Sequence, residues 1–150
     1  FLLSQLSKNI EDACTKARYY KLTPKKFSIF LKTQNFEYVN CLIHLTPPTN
    51  APEIIISLAH EKFQEMHKAG VIYRTTGVTL QDLILNSVSQ ADLFGNFDRA
   101  NKFEVIHKQL DSLEDKFGKR MVHLGSTQGA LKHKVSGTEA EELDRNLLFL

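Results

Sequence analysis

Lys25–Thr33 reads KKFSIFLKT, and its alternation decides the fold. Phe27, Ile29 and Leu31 point to one side, while Lys26, Ser28, Phe30 and Lys32 point to the other. That is the period of a half-buried β-strand with a cationic outer face. Upstream, Leu3, Leu6, Ile10, Ala13 or Cys14, and Ala17 recur at steps of three and four, which predicts a helix over 2–20. Leu22-Thr23-Pro24 stops it, because proline cannot continue the hydrogen-bond ladder. Downstream, QNFE is a turn. YVNCLIHL is a second strand with Val39, Cys41, Ile43 and Leu45 on its inner face.

TPPTNAPE ends that strand and starts a second helix. Asn50 is the expected N-cap, Pro52 fits the first turn, and Glu53 follows the cap by three residues. Ile55, Leu58 or Ala59, Phe63 and Met66 form its inward face up to about Lys68, and Gly70 closes it. VIYRTTGVTL is β-branched and aromatic, hence a third strand. Gly77 within it marks a bulge or a close approach by another group. Strict alternation with Ile72 and Val78 would bury Arg74, so a bulge at Thr76-Gly77 is expected to reset the phase.

The order helix, strand, strand, helix, strand becomes βαββαβ, the split-βαβ plan, if one strand precedes Phe1. The predicted class is therefore α+β: an antiparallel sheet backed by two helices, with a bare opposite face. Residues 1–85 form this unit and 86–97 a linker. Residues 98–125 hold a helix with a seam at Phe103, Ile106, Leu110, Leu113 and Phe117, then KRMVHL as a short strand. Residues 126–150 read as a flexible tail with an apolar tip, RNLLFL.

The 150 residues carry a net charge of only +2, unevenly spread. Between Ala13 and Phe36 there are six basic residues and no acid; the remainder holds 13 basic and 17 acidic ones. Such a local field suits a polyanion, although a merely solvated lysine-rich face has the same composition. No apolar run is long enough for a membrane span. The opening FLLSQLSKNIEDA lacks an initiator Met and a basic leader, and reads as a piece of a longer chain. Cys14 and Cys41 have no motif spacing and read as reduced, buried thiols, which favours a cytoplasmic location.

No catalytic constellation stands out. His60 and His67 in HEKFQEMH are seven apart, whereas a zinc helix needs four, so no metal site is expected. There is no glycine-rich phosphate loop and no nucleophile motif. A phosphate-binding surface is legible instead. Lys25, Lys26, Ser28 and Lys32 lie on the bare face, and Thr33, Arg74, Thr75, Thr76 and Gly77 are expected to join them. Cations and short hydroxyl or backbone donors of this kind hold phosphate oxygens. Without an Asn/Gln/Arg cluster for base edges, binding would be sequence-neutral and directed at duplex DNA.

KKFSIFLKTQNF, TPPTNAPEI entering a helix, and YRTTGVTLQDL closely resemble the C-terminal little finger domain of Y-family translesion DNA polymerases. The UmuC/DinB-like group is the match, with the UmuC-like catalytic subunit of polymerase V nearest. The resemblance covers about residues 1–85, and FGKRMVHLGS resembles that branch's C-terminal extension. It implies a sheet that grips the template-primer duplex, a role in DNA repair and SOS mutagenesis, and the rest of the polymerase chain as a partner. The Mg2+-dependent palm of such a polymerase has no counterpart here, so no catalytic residue and no cofactor is expected in this chain.

Within the linker, Gln90, Ala91, Asp92, Leu93 and Phe94 spell QADLF. This is similar to the peptide by which bacterial polymerases dock on the β sliding clamp. The chemistry fits: Leu93 and Phe94 are adjacent apolar anchors, Gln90 a rim hydrogen bonder, Asp92 a turn former. The alternative is that Leu93 and Phe94 staple the C-terminal helix to the first unit. A second functional class remains open, a protein-interaction scaffold that uses the 103–117 seam without any DNA role.

Overall fold

The computed structural model describes residues 1–85, 96–118 and 122–133. Helix α1 spans Leu2–Tyr19, strand β1 Leu22–Thr33, strand β2 Tyr38–His44, helix α2 Pro52–Met66 and strand β3 Tyr73–Leu85. Helix α3 spans Asn96–Phe117, and a 3-10 turn at Gly125–Thr127 leads into α4, Gln128–His133. The class is α+β. The sheet order is β2-β1-β3, antiparallel throughout, so the strand read first in the sequence lies at its centre.

The core follows from the alternation. Phe27, Ile29 and Leu31 of β1 are essentially inaccessible. They face Leu6, Ile10 and Cys14 of α1 and Ile55, Ala59, Phe63 and Met66 of α2, with Ile43 and Leu45 closing one side. Each fully buried Leu, Ile or Phe contributes about 1.5–3 kcal/mol over its exposed state. A one-residue slip of β1 would turn all three side chains to water at once, so the register is strongly held. α1 packs over β1 and β3, α2 over β2, and both lie on the same side of the sheet. Val39, expected on the inner face, does share it with Leu31, but edge position leaves it 38% exposed.

Asn50 does not cap α2, a correction to the sequence reading. The cap position is Ala51, with no side-chain hydrogen bond to the helix. Asn50 is buried, and its Nδ2 donates to the Leu22 carbonyl, 3.1 Å away. The competing demand is a part-buried carbonyl at the start of β1, where a hydrogen bond left unmade carries a desolvation cost. Pro52 still occupies the first turn, and Gly70 takes the left-handed conformation at φ 82°.

C-terminal to the sheet, the structure differs from the sequence reading at four points. The helix starts at Asn96 rather than near 98. Its apolar seam is largely open to solvent: Ile106 is 50% and Phe117 66% exposed. Polar contacts hold it instead. Arg18 grips Asp111 with two hydrogen bonds of 2.8 Å, and His107 Nε2 lies 2.8 Å from Glu53 Oε1. Residues 122–124 of KRMVHL form no strand. Residues 125–133, expected to be unstructured from 126, make the 3-10 turn and α4. Leu124 N–H donates to Glu11 and Ala130 N–H donates to Ser4 Oγ, which docks this segment on α1.

Candidate nucleic-acid interface

The second face of the sheet is set by the same register. Four cross-strand rows cross it: His44–Lys26–Gln81, Leu42–Ser28–Thr79, Asn40–Phe30–Gly77 and Tyr38–Lys32–Thr75. Directly paired residues share a face, so these twelve positions form one continuous surface. Among the described residues, α3 and the Leu124–Ala130 segment make their hydrogen bonds to α1 and α2, the helices on the far side. A shallow groove runs across the face between Phe30, Tyr38, Asn40, Leu42 and Gln81.

The expected site residues divide. Lys26, Ser28, Lys32 and Thr75 lie on this face, as read from the sequence. Lys26 is engaged by Asp82 at 2.9 Å. Asp82 is well exposed, and such a surface pair is worth at most about 1 kcal/mol, little enough for a phosphate to displace it. Lys25 is exposed at the sheet's margin, but its alternation is that of the core side.

Thr33, Thr76 and Gly77 are corrections. Thr76 is only 4% exposed, pairs with Leu31 on the helix side, and donates its hydroxyl to the Phe30 carbonyl at 2.9 Å. Asn9 of α1 donates to the Thr76 carbonyl, tying β3 to the helix layer. Thr33 is also buried, and its Oγ1 accepts the Glu37 N–H. Neither hydroxyl reaches the open face. Gly77 belongs to that face but is roofed by Phe30. A Cβ built on it would stand 2.6 Å from Phe30 Cζ. The sequence left two reasons for this glycine, and close approach is the one realised.

The bulge lies elsewhere. Lys32 pairs with Thr75 and Thr33 with Tyr73, so the extra residue of β3 is Arg74 itself. This frees Arg74 from alternation and brings its guanidinium 5.1 Å from the centre of the Phe36 ring. Lys32 Nζ lies 4.7 Å from the same ring and 4.8 Å from that of Tyr38.

A reading led by lysines missed the outer residues of β2. Tyr38, Asn40, Leu42 and His44 were legible as the alternate positions of YVNCLIH. Asn40 and Gln81 place two amides on this face, two cross-strand rows apart. Gln81 Nε2 donates to Ser28 Oγ at 3.0 Å, which leaves its carbonyl to point elsewhere. Among the described residues no group of three His, Cys, Asp or Glu side chains is placed to hold a metal ion. No described helix is long and apolar enough to cross a membrane.

Residues 2–93 match the impB/mucB/samB family C-terminal domain. The chain belongs to this family. It is thus the C-terminal domain of a Y-family translesion polymerase, as the resemblance implied. A DNA polymerase IV from Pelotomaculum thermopropionicum is 25% identical over 112 residues, 75% of this chain. The impB/mucB/samB-type chain spans only 27% of that protein's length. No solved structure matches it. The family match reaches Leu93 and so takes in Gln90–Leu93 but not Phe94, and the whole QADLF pentapeptide lies outside the described residues.

Proposed function

We propose that this domain grips duplex DNA without sequence preference, on behalf of an error-prone polymerase, and tethers that polymerase to the β sliding clamp through Gln90–Phe94. The open sheet face carries the first half of the reading. Lys26, Lys32, Arg74 and His44 line a surface whose opposite side holds the whole core. A cation-bearing sheet face with few acids suits a phosphate backbone, whose charge supplies most sequence-independent affinity. The relative's printed name, DNA polymerase IV, supports the same substrate. Catalysis, its Mg2+, and the polymerase's repair and SOS roles belong, on this reading, to the longer protein.

The test is a salt series with a duplex oligonucleotide. Affinity should fall with ionic strength by about 0.9 log unit per log unit of salt for each phosphate neutralised. Lys32→Ala should flatten that slope by about one contact. A salt-independent affinity refutes the sheet-face reading. For the tether, Leu93→Ala with Phe94→Ala should abolish capture by immobilised clamp while leaving DNA binding intact. Unchanged capture rejects the pentapeptide.

A further inference from the structure

We propose that the tip of the β1–β2 hairpin is a second nucleic-acid site, which takes an unpaired nucleotide of single-stranded DNA. Two rings stand there in water: Phe36 is 60% and Tyr38 58% exposed. Core packing does not explain them. Phe36 sits at φ 67°, a left-handed conformation that disfavours any side chain with a Cβ. Thr33 holds the turn rigid around it. Its carbonyl accepts the Phe36 N–H, its N–H donates to the Glu37 carbonyl, and Gln34 N–H donates to the Ile72 carbonyl. A bulky ring kept on a strained turn and away from the core needs another reason, and strained positions concentrate at ligand sites.

Electrostatics point to the ligand. Lys32 Nζ stands between the two rings, and Arg74 flanks Phe36 from β3. Arg74 reaches this place only because β3 inserts it as an extra residue; strict alternation would turn it elsewhere. Bulges re-aim side chains at functional sites in this way. Exposed aromatics interleaved with Lys and Arg bind single strands by stacking bases on the rings while the cations hold phosphates. An intact duplex buries its base faces in its own stack and cannot use the rings. When a base stacks, Lys32 leaves the ring pair for the phosphate of that nucleotide.

The site adjoins the duplex face and shares Lys32, Arg74 and Tyr38 with it, so the test varies the rings and keeps the cations; it uses the full chain on two probes, a fluorescein-labelled dT12 strand and a 16-base-pair blunt duplex. Anisotropy at fixed salt is measured for the wild-type protein, for Phe36→Leu with Tyr38→Leu, and for Phe36→Trp. The leucine pair should weaken dT12 binding about tenfold and duplex binding less than twofold. Phe36→Trp, the chain's only tryptophan, should keep dT12 affinity and show fluorescence quenched on binding. Equal losses on both probes, or none on dT12, overturn the proposal. Loss on dT12 alone, in a protein that never bound the duplex, upholds it while refuting the sheet-face grip.

Discussion

Replacing Gly77 with alanine changes stability in a direction that depends on one neighbour. An added Cβ would stand 2.6 Å from Phe30 Cζ, where carbon atoms prefer about 3.5–4.0 Å. The ring must therefore retreat by about 1 Å. Its retreat is limited on the β2 side, where Tyr38 lies with ring centroids 5.8 Å apart. Overpacking of this kind costs about 1–3 kcal/mol, and because the far end of a half-exposed ring yields, the lower part of that range is expected. In a Phe30→Ala background the obstruction is gone. There Gly77→Ala should stabilise by about 0.5–1 kcal/mol, since glycine within a strand loses more backbone entropy than alanine. Urea unfolding of the four proteins of this double-mutant cycle measures the coupling, which should be about 2 kcal/mol. The same sign for Gly77→Ala in both backgrounds refutes the account of why this glycine is there.

The α3 contact is expected to be acid-sensitive. Burial raises the Glu53 carboxyl pKa, but the hydrogen bond from His107 and its charge outweigh that and leave it lowered. A carboxylate depressed in the folded state stabilises above its unfolded value and loses that contribution as pH falls through the folded one. The urea midpoint of Glu53→Gln should thus lie below wild type at pH 7, and the gap should close below about pH 4; a constant gap contradicts the pairing. The two thiols should also part company. Burial pushes the Cys14 pKa up to about 12, and its side chain is inaccessible, whereas Cys41 is partly exposed. A thiol-specific reagent at pH 8 should modify one cysteine rapidly in the native protein and two in urea; fast reaction of Cys14 in the native state would mean that α1 opens readily.

The sequence by itself determined which way the central strand faces. Phe27, Ile29 and Leu31 against Lys26, Ser28 and Lys32 is a period-two signal, and neighbouring atoms along one strand suffice to set it. Helical spacing likewise delivered the inward residues of α1 and α2. The family also stood in contiguous motifs. Only the tertiary structure decided what required two segments to meet. Asn9 reaches from α1 to the Thr76 carbonyl, and that hydroxyl bonds back to Phe30, so a threonine read as a phosphate donor is turned inward. Asn50 answers a carbonyl 28 residues away instead of its own helix. The bulge sits at Arg74 because β3 pairs with β1 on both sides of it, a fact of register that one strand's pattern does not contain. The seam of α3 is periodic, yet Arg18 and Glu53 hold the helix by its polar side. Periodicity reports what a segment is able to bury; which face meets a partner depends on what the rest of the chain presents.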